Sequence, residues 1–276
     1  MTKNKHGLSR SIPEATKRRI RQDSGFGCVI CAQAFTIFEH IFPEYADAKK
    51  HDPKNMTLLC HQCAGKHTRK QLSKSTIWET KKNPKPFQNG FSHENLDIGI
   101  DSPLIEIGPI VAKNCKSVLS CGGVSLLSIS APEKIGGPFR LSAIFKDIFG
   151  KIKFEIVENE WRVHNGVFDI RVVANRTTLL DSDNKTVLQF SIIPPNSLKI
   201  EILNITHNGF SVICDHDQLW IETLVGKRIF VRGDVTIEGG VTALECTENG
   251  FLFGTQVGSV TINSASIITQ NSIVLG

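Results

Sequence analysis

The chain has 276 residues, 40% of them hydrophobic, and carries 32 Lys/Arg against 27 Asp/Glu for a net charge of +5. That length predicts two cores, while the absence of any apolar run near the roughly 20 residues that span a bilayer excludes a membrane helix from the reading. The charge is unevenly divided: residues 1–90 hold 17 Lys/Arg against 7 Asp/Glu, a balance of +10, and residues 91–276 hold 15 against 20, a balance of −5.

The first ten residues, MTKNKHGLSR, are polar and basic with no apolar segment behind them, so a soluble, unexported, cytoplasmic protein is expected. They read as a disordered arm carrying Lys3, Lys5, His6 and Arg10. Ser11-Ile-Pro-Glu14 then predicts a helix start, with Ser11 as the cap and Pro13 where a missing donor is tolerated. Lys17, Arg18, Arg19 and Arg21 crowd the following turns, and Arg18, Arg19 and Arg21 are candidate phosphate contacts. A hydrated outer face is the plainer account of the same cluster. Ser24–Gly27 is a turn.

Cys28/Cys31 and Cys60/Cys63 are two Cys-x-x-Cys pairs separated by 28 residues. Each spacing lets two thiolates of one tight turn meet the same tetrahedral zinc, and four thiolates close the coordination shell. Such a zinc would be structural. The other cysteines, at 115, 121, 214 and 246, show no repeating interval and read as reduced structural thiols. Between the pairs, residues 34–41 predict a strand in which Glu39 and His40 point to opposite faces unless a bulge intervenes. Residues 43–53 form a polar loop in which His51 and Asp52 are candidates to touch substrate or metal, solvation being the plainer account of a charged loop tip; Asn55 follows, and residues 56–59 form a second strand. A helix is expected after the second pair, with Ala64, Lys66, His67, Arg69 and Lys70 on it or just beyond it.

The order Cys-x-x-Cys, Glu39-His40-Ile-x-Pro43, Asn55-x-x-x-Leu59-Cys-x-x-Cys63 resembles the zinc-stapled branch of the HNH endonucleases, over about Arg18 to Arg69. The resemblance implies a ββα-metal fold, hydrolysis of nucleic acid with DNA as the expected polymer, and a divalent cation such as Mg²⁺, Mn²⁺ or Ni²⁺. It implies His40 as the general base, Asn55 as the residue whose amide pins the loop carrying that base, and Glu39 as a candidate cation ligand. The family's last His, which directly follows the final cysteine, is replaced by Ala64, and His67 lies one helical turn on as a substitute. Lys66, Arg69 and Lys70 join the candidate nucleic-acid contacts. A second reading makes the head a binding module that lost its catalytic shell at Ala64.

Thr76-x-x-Glu79 predicts a capping box and a short helix over 77–82, and the Pro/Asn/Gly-rich stretch 81–90 marks the domain boundary. Beyond it, runs rich in Val, Ile, Phe and Thr recur between Gly, Pro and Asn, among them 104–107, 124–129, 139–145, 151–157, 167–173, 186–192, 198–205, 210–214, 228–231, 235–237, 260–262 and 267–268. They predict an all-β domain, a sandwich first and a solenoid-like stack second. The fold class is thus α+β, a small zinc-stabilised head followed by a β domain. Gly122-Gly123, Gly136-Gly137 and Gly239-Gly240 read as turns, as does Cys214-Asp-His-Asp217, and Trp161 and Trp220 read as core or interface. The acidic balance points this half away from phosphate and toward homo-oligomerisation or a partner protein. A basic nuclease head with a separate domain fits restriction or antiviral defence by analogy of architecture.

Overall fold

The structure, a computed structural model, describes residues 3–147, 149–223, 225–248, 250–256 and 258–271. The chain is mostly β and divides into two units, Met1–Glu94 with Arg162–Ile170 and Asn95–Trp161 with Arg171–Gly276. The boundary falls at 94/95, and a short piece from far downstream belongs to the head. No described helix is long and apolar enough to cross a membrane.

In the first unit, α1 (Glu14–Asp23) is followed by β1 (Thr36–His40), β2 (Met56–Cys60) and α2 (His61–Thr68). Next come α3 (Lys74–Lys82), α4 (Lys85–Asn89) and β3 (Phe91–Asn95). β1 and β2 pair antiparallel from Thr36↔Cys60 to His40↔Met56 without a register shift. All five β2 residues are buried because the strand serves two clusters. Met56 and Leu58 pack with Ile20 of α1, whereas Leu59 packs with Cys28, Val29, Ile41, Cys60, Cys63 and Ile77. Period-two alternation puts Met56 and Leu58 on the face opposite Leu59, while Cys60, the last strand residue and the α2 cap, joins the Leu59 cluster at the strand end.

Several local expectations shift. The α1 cap is Pro13, with no side-chain bond, so Ser11 does not cap the helix. Ser73, three residues before Thr76, caps α3 by accepting from the Thr76 amide at 3.1 Å, and the helix starts at Lys74. The 85–89 stretch forms a short helix closed by Gly90 at φ +87, which only a residue without Cβ adopts cheaply. The basic arm is ordered over its described residues: Asn4 Oδ1 accepts from the His6 and Leu8 amides at 2.9 Å, and Asn4 Nδ2 donates to the Tyr45 and Ala48 carbonyls at 2.6 and 2.7 Å. One amide thus closes a turn and ties it to the 43–53 loop; composition carries no sign of that.

The downstream piece is anchored by Asp169, whose carboxylate is fully buried. It accepts from Arg21 Nε at 2.8 Å and Nη2 at 2.7 Å, and from Arg18 Nε at 3.2 Å. The bidentate fork explains how a carboxylate tolerates this burial. Asp169→Ala is expected to cost the head about 3–5 kcal/mol, since Arg21 would remain buried with an incomplete set of partners. Denaturant unfolding followed on the head would measure it, and a loss below about 1 kcal/mol, the range of exposed pairs, would refute it.

The second unit consists of two sheets. In one, the order is Gly250–Thr255, Thr242–Thr247, Ser117–Cys121, Val124–Ser130, Arg140–Lys146, Ile152–Val157. In the other, Arg176–Leu180 pairs with Thr186–Ile193, which pairs with the long strand Ser197–His207. The same sheet contains a second long strand, Lys227–Glu238, and two hairpins occupy the space between the two long strands. Phe210–Asp215 with Gln218–Glu222 bridges one end, and Leu104–Ile107 with Ile110–Lys113 bridges the other. The hairpin turns meet end to end. A Cβ on Gly108, at φ +53, would lie 2.9 Å from Cys214 Sγ and 3.2 Å from the His216 carbonyl oxygen, so the meeting requires glycine. Cys214–Asp217 is accordingly the turn region it was expected to be, with His216 at φ 54.

Side chains of the two sheets meet at Phe154 and Phe190, ring centroids 5.3 Å apart, with Trp161 buried beside Phe154. Packing of this kind is that of two sheets face to face. The tail read as solenoid-like includes Ser259–Asn271, which pairs along Lys227–Glu238; residues 272–276 lie outside the described set. Among the strands the pattern missed is Ser117–Cys121, buried at all five positions and therefore without alternation.

Candidate functional site

The two Cys-x-x-Cys turns come together. The four Sγ atoms of Cys28, Cys31, Cys60 and Cys63 lie within 4.8 Å of one another, with Cys31–Cys60 at 3.6 Å and Cys31–Cys63 at 4.0 Å. A tetrahedron of sulfurs 2.3 Å from a central zinc has edges of about 3.8 Å, so these four atoms could hold a metal such as zinc. Local structure sets each pair. The first turn closes through Ala32 N–H to the Cys28 carbonyl and Cys28 N–H to the Gln33 carbonyl, both 2.8 Å. Gly27 is needed there because a Cβ would fall 2.7 Å from the Ala32 carbonyl oxygen. In the second, Cys60 is the α2 cap, its Sγ accepting from the Cys63 amide at 3.4 Å. Hydrogen bonding from the Cys31 thiol lowers Cys28 to about 5, while burial, reinforced by the charge of Cys28, pushes Cys63 up to about 12.

His40 is the last residue of β1 and only 8% exposed. Burial, with His51 beside it, holds its imidazole below the usual histidine range, which favours the neutral form a base requires. His40 Nε2 lies 3.1 Å from His51 Nδ1, and His51 Nε2 lies 2.8 Å from the Ser9 carbonyl oxygen. The Tyr45 ring stacks on His51 at 6.5 Å, and the Tyr45 hydroxyl donates to the Leu8 carbonyl at 2.9 Å.

Because β1 pairs without a bulge, Glu39 leaves the strand on the face opposite His40, and the accommodating bulge considered from sequence is absent. Burial raises the Glu39 carboxyl, His67 lowers it, and Glu44 raises it further. Glu39 and His67 are therefore electrostatic neighbours. His67 Nδ1 donates to the Leu72 carbonyl at 3.0 Å, which in the neutral ring leaves the lone pair on Nε2. An imidazole oriented by a carbonyl in this manner is suited to ligate a cation. Ala64 packs instead on the apolar cluster around the cysteines.

The Asn55 side chain makes no hydrogen bond among the described residues. What ties the loop is its main chain: the Asn55 carbonyl accepts from Ile41 N–H at 2.9 Å, and its N–H donates to the Asp52 carbonyl at 2.9 Å. The side-chain pin expected at this position is thus replaced by a backbone one. Lys81, assigned from sequence to the interdomain stretch, adds to it by donating to the Pro53 carbonyl at 2.7 Å and to that of Met56. Lys81 was not legible as a site residue because its partners lie far back in the chain, whereas His51, considered from sequence for contact with substrate or metal, pairs with His40.

Of the candidate phosphate contacts, Arg18 and Arg21 are committed to Asp169, and Arg18 also lies over the Phe168 ring at 5.2 Å. The fixed, largely buried guanidiniums do not suit the phosphate role expected of them. Arg19 is exposed and pairs with Asp23 at 3.0 Å, one turn along α1. Lys66, Arg69 and Lys70 are exposed at the end of α2, and no ion pair involving them occurs among the described residues. In the second unit Cys121 and Cys246 are register partners on parallel strands, both fully buried, and Cys246 is raised first by its hydrogen bond with Cys121 and then by burial. These thiols are structural in position.

Compared with family models, with curated proteins and with solved structures, the chain matches none.

Proposed function

We propose that the first unit is a zinc-stapled nuclease head of the HNH type, hydrolysing phosphodiester bonds of nucleic acid, with DNA as the first substrate to test. One observation carries it: a buried His40 held toward its neutral form adjoins Glu39, whose electrostatic neighbour is His67, on a hairpin and helix that the four-thiol cluster joins. Glu39 and His40 are consecutive at the end of β1 and leave it on opposite faces, so a phosphodiester served by both would lie across the strand end. Glu39 and His67 would hold a divalent cation, whose contribution is to stabilise charge on the phosphoryl and leaving oxygens. His40 takes a proton from the attacking water. Lys66, Arg69 and Lys70 supply sequence-independent attraction to the backbone, reduced by salt. The second unit serves assembly or a partner protein, and a defence role against foreign nucleic acid fits the architecture.

The second reading, a binding module without catalysis, is favoured by Ala64, which offers no ligand atom. A plasmid-nicking assay with Mg²⁺, Mn²⁺ and Ni²⁺ on the natural chain and on Ala64→His separates the two. Nicking by the natural chain is the expected result, with His67 filling the role. Cleavage only by Ala64→His would mark an impaired nuclease; DNA retention without cleavage by either would replace this reading with the binding module.

A further inference from the structure

We infer that His51 is a positioning residue which fixes the tautomer of His40, so that Nδ1, and not Nε2, is the basic nitrogen; this rests on the nuclease reading for its purpose but not for its test. The chemistry of the contacts sets the direction. A backbone carbonyl only accepts, so at 2.8 Å from the Ser9 oxygen His51 Nε2 must carry the proton. In a neutral ring His51 Nδ1 then has the lone pair. At 3.1 Å from it, His40 Nε2 must in turn donate, which leaves the lone pair of neutral His40 on Nδ1.

The end of this relay is fixed by the ordered arm. Lys3 and Ser9 form an antiparallel bridge, Asn4 joins the arm to the Tyr45 and Ala48 carbonyls, and the Tyr45 hydroxyl returns a bond to Leu8. Arg10 lies over the Tyr45 ring at 4.6 Å, and Tyr45 stacks on His51. The segment read from sequence as a disordered arm therefore supplies the carbonyl from which the proton order of the site is set. A second-sphere partner of this type orients an imidazole without touching substrate.

The test uses the full chain, zinc-loaded, labelled with ¹⁵N-histidine, and reads long-range ¹H–¹⁵N correlations of His40 near neutral pH. The expected result is a single His40 tautomer protonated at Nε2. His51→Phe, which keeps ring volume but removes the acceptor, should yield mixed His40 tautomers. His51→Asn, whose side-chain oxygen can take the place of Nδ1, should restore the single form. In nicking assays kcat should fall roughly 10- to 100-fold in His51→Phe with KM little changed, and recover in His51→Asn. Zinc content and far-UV circular dichroism equal to the natural chain establish that the variants fold. His40 protonated at Nδ1 in the natural chain, or one unchanged tautomer in His51→Phe, overturns the inference. If the tautomer responds as expected while no variant or natural chain cleaves under any cation, the relay stands and the nuclease reading is what fails.

Discussion

On the proposed nuclease reading, replacing His40 by alanine is expected to lower phosphodiester cleavage by about 10²–10⁴-fold, the usual contribution of a positioned general base, without disturbing the four-thiol cluster. The effect should fall on kcat, because the imidazole acts on the attacking water and not on the bound polymer. Alanine also strips His51 of its partner, and leaving a mostly buried donor or acceptor unmatched costs about 1–3 kcal/mol. His40→Gln is therefore the cleaner variant. Its amide can still donate to His51 but cannot take a proton from water, so it should be as inactive as alanine and closer to the natural chain in stability. Cleavage at the natural rate by His40→Gln, purified free of host nuclease, would remove His40 from the mechanism.

The second large effect is expected at the thiol cluster. Cys60→Ser should lose bound zinc and unfold the head, whereas the second unit, with its own apolar core, should keep its β signal by circular dichroism. Zinc binding contributes about 10–16 kcal/mol in small isolated metal domains, as large as the whole net stability of about 5–15 kcal/mol usual for a folded domain. Serine makes the comparison informative. Cys60 is also the α2 cap, and serine is a strongly preferred cap, so the helix start should not suffer from the exchange. Collapse would therefore report the missing ligand. Strong chelation of the natural protein should give the same loss, reversed by added Zn²⁺. A Cys60→Ser head that is folded and metal-free would show that the apolar clusters around Leu59 and Ile20 suffice alone.

How far the site could be anticipated depended on the range of the contacts. The four-thiol cluster was legible because a three-residue cysteine spacing sets two ligand directions within one turn, whatever the rest of the chain does. The β1–β2 hairpin was legible from its apolar residues, whereas the helix that Gly90 closes was read only as a boundary stretch and Pro13 was placed inside the helix it caps. Arg18 and Arg21 misled for a physical reason: a run of like charges resembles a phosphate face until the carboxylate that neutralises it is found, and Asp169 lies 148 residues beyond Arg21. At Asn55 the main chain ties the loop in place of the side chain expected from the motif, a distinction that a pattern of residue letters does not carry.

The sequence by itself determined the two-part division, the charge asymmetry, the four thiols and the all-β character of the second half. Each follows from composition or from periodicity within a few residues. Only the tertiary structure decided that the arm is ordered, that residues 162–170 join the head, that two hairpins meet end to end at Gly108, and that His40 meets His51 while His51 meets the Ser9 carbonyl. Those outcomes depend on single carbonyls, carboxylates and absent Cβ atoms meeting partners far along the chain, and such meetings leave no periodic trace for a reader of residues to find.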